Sequence, residues 1–259
     1  MSPGRTLRLL WVGWRFHLAN LTQSGFFVLV SAVQPVIFAT IAFYMWRSGQ
    51  REGTLLAVAL GAGLMGMWSS TLFGSGGAIQ FQRWHGTLEV LIAAPAPFIL
   101  TLLPITIATA SLGLYSVAGT LAWGWLLFGM PVDIVHPGAF AVALPAAVLS
   151  LGLLGLVLAS TFVLYRSASA FSNLLEYPVW LVTGLLVPVS LLPGFVEPLS
   201  WVLAPTWGVK AIRRAALGGD PWPAVGMCLL LGCIYLVVGA FTLRNFERLA
   251  RAQATLSLT

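Results

Sequence analysis

Long apolar runs separated by short polar segments make up most of the chain. A helix that crosses a bilayer core about 30 Å thick needs roughly 20 apolar residues, and each run approaches or exceeds that length. The pattern therefore predicts an all-α integral membrane protein with one transmembrane domain over residues 1–259 and six transmembrane helices. The predicted spans are residues 26–46, 55–73, 98–128, 140–164, 169–191 and 224–243.

Residues 1–24 carry a different, amphipathic pattern. Apolar side chains recur at helical spacing on one stripe, and three arginines point away from it. The stripe consists of Leu10, Trp11, Trp14, Leu18 and Leu21, and the arginines are Arg5, Arg8 and Arg15. Such a helix lies in the membrane interface, because tryptophans favour headgroup depth and arginines are attracted to anionic lipid. We expect an interfacial helix in contact with membrane lipid.

The composition supports a membrane protein and argues against other classes. Hydrophobic residues make up 59% of the chain and charged residues only 8%, whereas a soluble domain carries about 25% charged residues. The net charge of +6 does not indicate nucleic-acid binding, because the 13 Lys and Arg residues are scattered between apolar runs. Cys228 and Cys233 lie in one apolar run and are expected to be packing residues.

The distribution of positive charge predicts the orientation of the chain. With an even number of spans, eight Lys and Arg residues fall on the side of the two termini and five on the other side. Positive residues are enriched on the cytoplasmic side of membrane proteins. We therefore expect both termini in the cytoplasm.

Residues 78–94 form the most polar internal segment of the chain. It includes Gln80, Arg83 and Glu89, and two prolines close it. The glycine- and serine-rich stretch 74–77 predicts an exit from the membrane just before this segment. Since the composition does not suit lipid, we expect a cytoplasmic helix between the second and third spans.

Residues 194–221 are too charged to span the bilayer. Pro205 marks a helix start and Gly218 a helix stop. The basic side chains of this run fall on one side of it, namely Lys210, Arg213 and Arg214. The pattern predicts a re-entrant or surface helix on the outer side, with the basic residues available to headgroups.

The cytoplasmic segment resembles a motif of the ABC-2 family of ATP-binding-cassette exporter permeases. The resemblance rests on Arg83, on the tetrapeptide 86–89 and on Leu91 and Pro95. It extends to the interfacial helix, the six spans and the outer segment, and it is nearer to the drug- and lipid-exporting branch. One departure is that the family often carries acidic residues where this chain has Gln82 and Trp84.

The resemblance implies a working unit of two permeases and two ATPase subunits in the plasma (inner) membrane. Each permease would seat a coupling helix in a groove of an ATPase subunit, and the second permease would be another copy or a related chain. The implied contact residues are Gln82, Arg83, Trp84, His85, Gly86, Thr87, Leu88 and Glu89. The same side chains in an ordinary solvated loop would serve solubility alone.

The chain lacks a phosphate-binding loop. That motif needs Gly-x-x-x-x-Gly-Lys-Ser/Thr, and the one lysine, Lys210, is followed by Ala211. We therefore expect no catalysis by this chain, with ATP and Mg²⁺ bound by a separate nucleotide-binding subunit. No metal or other cofactor is expected either, because His85 has no second ligand at suitable spacing.

Glu176 is an isolated acidic residue inside the fifth predicted span, where an ionised carboxylate is costly. One interpretation makes it a substrate or gating contact, with Asn173 on the same span as a further candidate. The other makes it a residue near the helix start that reaches water or pairs with Arg166. For the small residues of the second span, helix packing is favoured over a substrate path; they are Gly61, Gly66, Ser69, Ser70 and Gly74.

These observations favour an exporter that moves an amphipathic or hydrophobic compound outward by alternating access. A channel or secondary transporter is the main alternative, although no internal repeat or paired intramembrane charge supports it. A membrane-embedded enzyme acting on lipids would need several Asp, Glu or His residues at one depth. Glu176 alone does not provide that cluster.

Overall fold

The computed structural model describes residues 3–23, 25–48, 54–84, 86, 90–91, 97–162, 168–185, 189 and 192–253. The described residues are almost entirely helical, which confirms the all-α prediction. Their helices are α1 (Pro3–Thr22), α2 (Gly25–Arg47), α3 (Leu55–Trp84), α4 (Ile99–Phe128), α5 (Pro137–Phe162), α6 (Ala168–Val182), α7 (Val196–Trp201), α8 (Ala204–Leu217) and α9 (Trp222–Gln253).

Four of the described helices are long and apolar enough to cross a membrane. They contain the segments Leu55–Ser75, Ile99–Phe128, Pro137–Phe162 and Trp222–Arg248. This supports an integral membrane protein. The helix α2 has 23 residues and would extend about 35 Å at 1.5 Å per residue, whereas the described part of α6 has 15 residues. Six spans therefore stay a prediction.

The helices α3 and α4 run antiparallel at close distance. Gly63 lies against Val117 towards one end of the pair, and Gly74 lies against Thr109 towards the other. A Cβ at Gly74 would come within 2.4 Å of the Thr109 Cγ2 atom. Small residues allow two helices in a membrane to approach and gain van der Waals contact. The predicted packing role of Gly74 is confirmed.

The helix α3 continues unbroken from Leu55 to Trp84, through the predicted membrane exit at residues 74–77, and its candidate span is Leu55–Ser75; the exit itself stays a prediction. Ser75 is fully buried. It faces Gly155 of α5, where an added Cβ would lie 2.5 Å from the Ser75 Oγ atom. The small residues permit close packing against α4 and α5 while the helix continues into the polar segment.

The helices α5 and α9 are parallel neighbours. Gly232 lies against Ser150, and seven residues further along α9 Gly239 lies against Leu156. Two parallel spans require the chain to return across the membrane between them. The segment that follows α5 is therefore expected to cross the membrane in the opposite direction.

The direction of α6 fits that return. Glu176 meets Ser69 of α3, and further along the chain Leu185 lies beside Gly61, so α6 runs antiparallel to α3. The helix itself ends at Val182, earlier than the predicted span end at residue 191. Gly184 has a φ of 78°, a left-handed conformation that terminates a helix and suits glycine.

The amphipathic helix α1 packs along α4. Gly13 approaches Pro104, with 3.0 Å between an added Cβ and the Pro104 Cβ atom, and the Trp14 indole donates a hydrogen bond of 3.1 Å to Ser111 Oγ. None of the residues of α1 is fully buried. The apolar stripe is thus shared between α4 and the surroundings of the protein, and the arginines lie on the exposed side.

The helix α8 is packed into the bundle and does not lie on its surface. Nine of its 14 residues are buried, against α5, α9 and α3. The predicted start and stop are confirmed: Pro205 lies in the first turn, and Gly218 ends the helix with a φ of 93°. The backbone N–H groups of Val135 and His136 donate to the carbonyl oxygens of Ala216 and Ala215. Of the two predicted alternatives, this packing fits the re-entrant helix, and Ala and Gly on α8 permit the close contact with α5.

Candidate functional site

The coupling segment is described only in part. Gln82 lies near the C-terminal end of α3, where its side chain is half-buried. Gly86 follows with a φ of 65° and open space around its Cα atom, so the chain turns sharply there. The rest of the predicted contact set lies outside the described side chains, namely Arg83, Trp84, His85, Thr87, Leu88 and Glu89. Its contact with an ATPase stays a prediction.

Glu176 faces α3. The Ser69 Oγ atom donates a hydrogen bond of 2.6 Å to the Glu176 Oε1 atom, and Glu176 is half-buried. The Ser69 hydroxyl also lies 3.1 Å from the Met65 carbonyl oxygen of its own helix, a second acceptor for the same proton. The side chain of Asn173 and the alternative partner Arg166 lie outside the described part of the chain.

Glu176 borders a cavity of about 550 Å³ between α2, α3 and α6. The walls are mostly apolar, and the polar groups are few: the Glu176 carboxylate, the hydroxyls of Ser69 and Ser70, and the Gln34 amide. The apolar walls are Leu29, Val33, Ile37 and Phe73. Ligand sites commonly combine apolar walls with a small number of converging polar groups.

A second cavity of about 250 Å³ lies further along the same three helices. Its aromatic side chains contact one another: the ring of Trp180 meets Phe38 at 6.2 Å and Tyr177 at 5.2 Å, both edge to face. Among the described residues, the buried Trp180 Nε1 atom has no hydrogen-bond partner. Trp180 follows Glu176 by four residues, one helical turn, so the two cavities adjoin.

Arg213 points into the protein, unlike the other basic residues of α8. Its guanidinium donates hydrogen bonds to the carbonyl oxygens of Ala57, Gly184 and Leu185, at 3.2, 3.0 and 3.4 Å. Gly61 leaves the space for this, because an added Cβ would lie 2.3 Å from the Arg213 Nη2 atom. The headgroup role predicted for Arg213 was therefore wrong, since its charge is used to join α8 to α3 and to the end of α6.

The other two basic residues of α8 lie nearer the surface. The Lys210 ammonium sits 4.6 Å from the centroid of the Trp207 ring, a cation–π contact. Arg214 is exposed and approaches the Asp220 carbonyl oxygen at 3.4 Å. These two side chains remain accessible, and their predicted contact with headgroups stays a prediction.

Within the described residues, no group of three or more His, Cys, Asp or Glu side chains comes together. The candidate site therefore consists of the two cavities and the Arg213 contacts described above. Sequence reasoning missed Gln34, Phe38 and Trp180 as cavity residues. A signal existed for Gln34, a polar amide inside an apolar run. For Phe38 and Trp180 no signal existed, because aromatic residues are common in spans.

Comparison with known proteins gives one family match and one relative. A family model described as ABC-2 type transporter matches residues 8–217. The chain is 22% identical over 187 residues to the linearmycin resistance permease protein LnrN of Bacillus subtilis (strain 168). That alignment covers 67% of this chain and 46% of the relative, so the chain spans about half of the relative's length.

Proposed function

The chain belongs to the ABC-2 type transporter family, and on that premise we propose that it forms the transmembrane subunit of an ATP-driven exporter. The observation that carries the proposal is the family match over residues 8–217, which runs from α1 through α8. The relative described as a resistance permease supports outward transport of an amphipathic or hydrophobic compound. The exporter would lie in the plasma (inner) membrane, with both termini in the cytoplasm.

The energy source in this proposal is a separate ATPase subunit, which binds ATP and Mg²⁺. The sequence has no phosphate-binding loop. Its single lysine, Lys210, is engaged with Trp207 on the outer helix. The chain would therefore supply the pathway and receive mechanical work from its partner.

The helix α3 is suited to transmit that work. It is continuous over 30 residues, about 45 Å at 1.5 Å per residue, and contacts α4, α5, α6 and α8. Its cytoplasmic end lies within the predicted coupling segment, which also contains the left-handed Gly86. Movement of that end would tilt a rigid element that borders the Glu176 cavity, and two packed arrangements of the bundle would give alternating access.

A second permease would complete the pathway. The face formed by α2 and α6 has exposed apolar side chains, including Leu29, Val33 and Tyr177, but it also carries Gln34 and Glu176. A carboxylate on a lipid-facing surface is costly. The polar groups therefore support an arrangement in which this face meets another permease and encloses the substrate.

The exposed face of α9 differs from the α2–α6 face. Its exposed apolar residues within the apolar part of the helix include Leu229, Leu230, Ile234, Val237 and Val238. No carboxylate interrupts this series. We assign the α9 face to lipid.

Substitution of the coupling segment tests the proposal. In the double variant Arg83→Ala with Glu89→Ala, affinity for the ATPase subunit is expected to fall at least tenfold, because a charged contact on each side of the turn is lost. ATP turnover should also become uncoupled from transport. The measurement is binding of the purified ATPase subunit to the permease in lipid nanodiscs.

The matched control for this test is Arg15→Ala, which removes an exposed arginine from α1 and should leave ATPase binding unchanged. Equal loss of binding in the control would mean that the loss is not specific to the coupling segment. Unchanged binding in the double variant would contradict the assignment of residues 82–89.

A further inference from the structure

The two adjoining cavities share a chemical character that narrows the class of substrate. Apolar walls surround a single acidic side chain, Glu176, and no other Asp or Glu occurs in helices α2 through α6. A basic side chain at the cavity wall would neutralise this carboxylate. Among the described residues that line the two cavities, none carries a basic side chain.

Within the described part of the chain, the Glu176 carboxylate accepts a hydrogen bond from the neutral Ser69 hydroxyl. A hydroxyl donates one hydrogen bond, whereas an ionised carboxylate accepts several. At reduced dielectric a full positive charge interacts with a carboxylate more strongly than a neutral donor does. The cavity therefore favours a ligand that brings its own positive charge.

The aromatic cluster beside Glu176 adds a second, independent preference for positive charge. The faces of aromatic rings attract ammonium and related cations, and Trp is the strongest in this respect. The Trp180 ring packs edge to face against both Phe38 and Tyr177, and all three line the adjoining cavity. A cation bound near Glu176 would thus meet both a carboxylate and aromatic rings within about one turn of α6.

We propose that the cleft between α2, α3 and α6 binds lipophilic cations, with Glu176 as the counter-charge and the Phe38–Tyr177–Trp180 cluster as the aromatic wall. This rests on the proposed export function and names its substrate class. The hydrophobic body of the ligand lies against Leu29, Val33 and the neighbouring apolar walls. Neutral and anionic molecules of the same shape bind weakly, because they leave the negative charge of the Glu176 carboxylate unbalanced.

The experiment uses two probes that have the same shape and opposite charge. Tetraphenylphosphonium and tetraphenylborate are measured for saturable binding to the full chain in lipid nanodiscs, with empty nanodiscs subtracted. The expected result is saturable binding of tetraphenylphosphonium and none of tetraphenylborate. Saturable binding of both probes with similar affinity would overturn the proposal, since the cleft would then select shape without charge.

The variant Glu176→Gln removes the charge and keeps the side-chain volume and the bond from Ser69. It is expected to lower the affinity for tetraphenylphosphonium at least tenfold. The control Glu197→Gln removes an exposed carboxylate on α7, outside the cleft, and should leave affinity unchanged. Unchanged affinity in Glu176→Gln would also overturn the proposal.

A second variant tests the contribution of the aromatic wall. Trp180→Phe keeps an aromatic ring but reduces its face, and should weaken tetraphenylphosphonium binding by about threefold, in line with cation–π strength near 0.5–1 kcal/mol. An unchanged affinity in Trp180→Phe would remove the aromatic wall from the proposal. Each variant is first checked for a thermal unfolding midpoint near that of the parent chain.

The cation-binding proposal and the export proposal can fail separately, because one is measured by tetraphenylphosphonium binding and the other by association of an ATPase subunit. If tetraphenylphosphonium does not bind but an ATPase subunit still associates with the chain, the cation assignment falls and the exporter stands. If the cation binds and no ATPase subunit associates, the exporter falls and the binding site stands.

Discussion

Replacing Gly113 with alanine is expected to destabilise the protein by about 3 kcal/mol, at the upper end of ordinary overpacking. Gly113 of α4 faces Met67 of α3, and an added Cβ would lie 2.5 Å from its Cγ atom and 2.6 Å from its Cα atom. A flexible side chain can move aside, but the Met67 backbone cannot. The α3–α4 pair, the most extensive helix contact among the described residues, must therefore separate.

The measurement is the thermal unfolding midpoint in one fixed detergent, which should fall by about 10 °C for a chain of this size. The control is Gly226→Ala on α9, where an added Cβ meets nothing within 4 Å. That variant should be neutral or slightly stabilising, because alanine favours helix. Equal midpoints for Gly113→Ala and the parent chain would contradict the close approach of α3 and α4.

Replacing Arg213 with alanine is expected to cost about 2 kcal/mol, because three backbone carbonyl groups lose a charged donor and water recovers only part of the loss. The carbonyls belong to Ala57, Gly184 and Leu185, so the link between α8, α3 and the end of α6 is broken. The unfolding midpoint should fall by about 6 °C.

Two variants of α8 make the Arg213 prediction specific. Arg214→Ala removes the neighbouring, exposed arginine and should change the midpoint by less than about 1 °C, as surface substitutions usually do. Arg213→Lys should remain nearly as unstable as Arg213→Ala, because a compact ammonium cannot reach three carbonyls in fork geometry. If Arg213→Ala and Arg214→Ala were equally stable, the inward contacts of Arg213 would not contribute to the fold.

The membrane class of the protein followed directly from the sequence because it depends on composition and on run length alone. An apolar run of about 20 residues crosses a bilayer as a helix, because the helix satisfies all of its backbone hydrogen bonds internally. The ends of α8 were also predictable. Proline at its start and a left-handed glycine at its end act locally, and both Pro205 and Gly218 occupy those places.

Features that depend on neighbouring helices could not be predicted in this way. Small residues at 74–77 are compatible with a loop and with a tight helix contact, and only the position of Thr109 and Gly155 makes the second true. A helix end and a packing surface share the same residue types. The sequence alone does not distinguish them.

The direction of a long side chain is likewise decided by its surroundings. Lys210, Arg213 and Arg214 fall on one side of α8, and the predicted role was the same for all three. Arg213 turns inward because Gly61 leaves room and because Gly184 and Leu185 present carbonyl oxygens. These contacts join positions that are far apart in the chain.

One residue of the candidate site, Glu176, was identified from the sequence. Glu176 stood out because a carboxylate inside a span is rare. Its carboxylate is half-buried at a cleft that depends on α2, α3 and α6 together, and its role in a pathway stays a prediction. Gln34 is the neighbour that a search for polar residues inside apolar runs would have added.

The central claim is that this chain is driven by a separate ATPase subunit. The most direct test measures ATP hydrolysis by the purified chain in nanodiscs, alone and after addition of the subunit that copurifies with it. The account predicts no hydrolysis by the chain alone, and hydrolysis once a subunit with a phosphate-binding loop is added. Hydrolysis by the chain alone, or the absence of any such subunit from the purified complex, would contradict it.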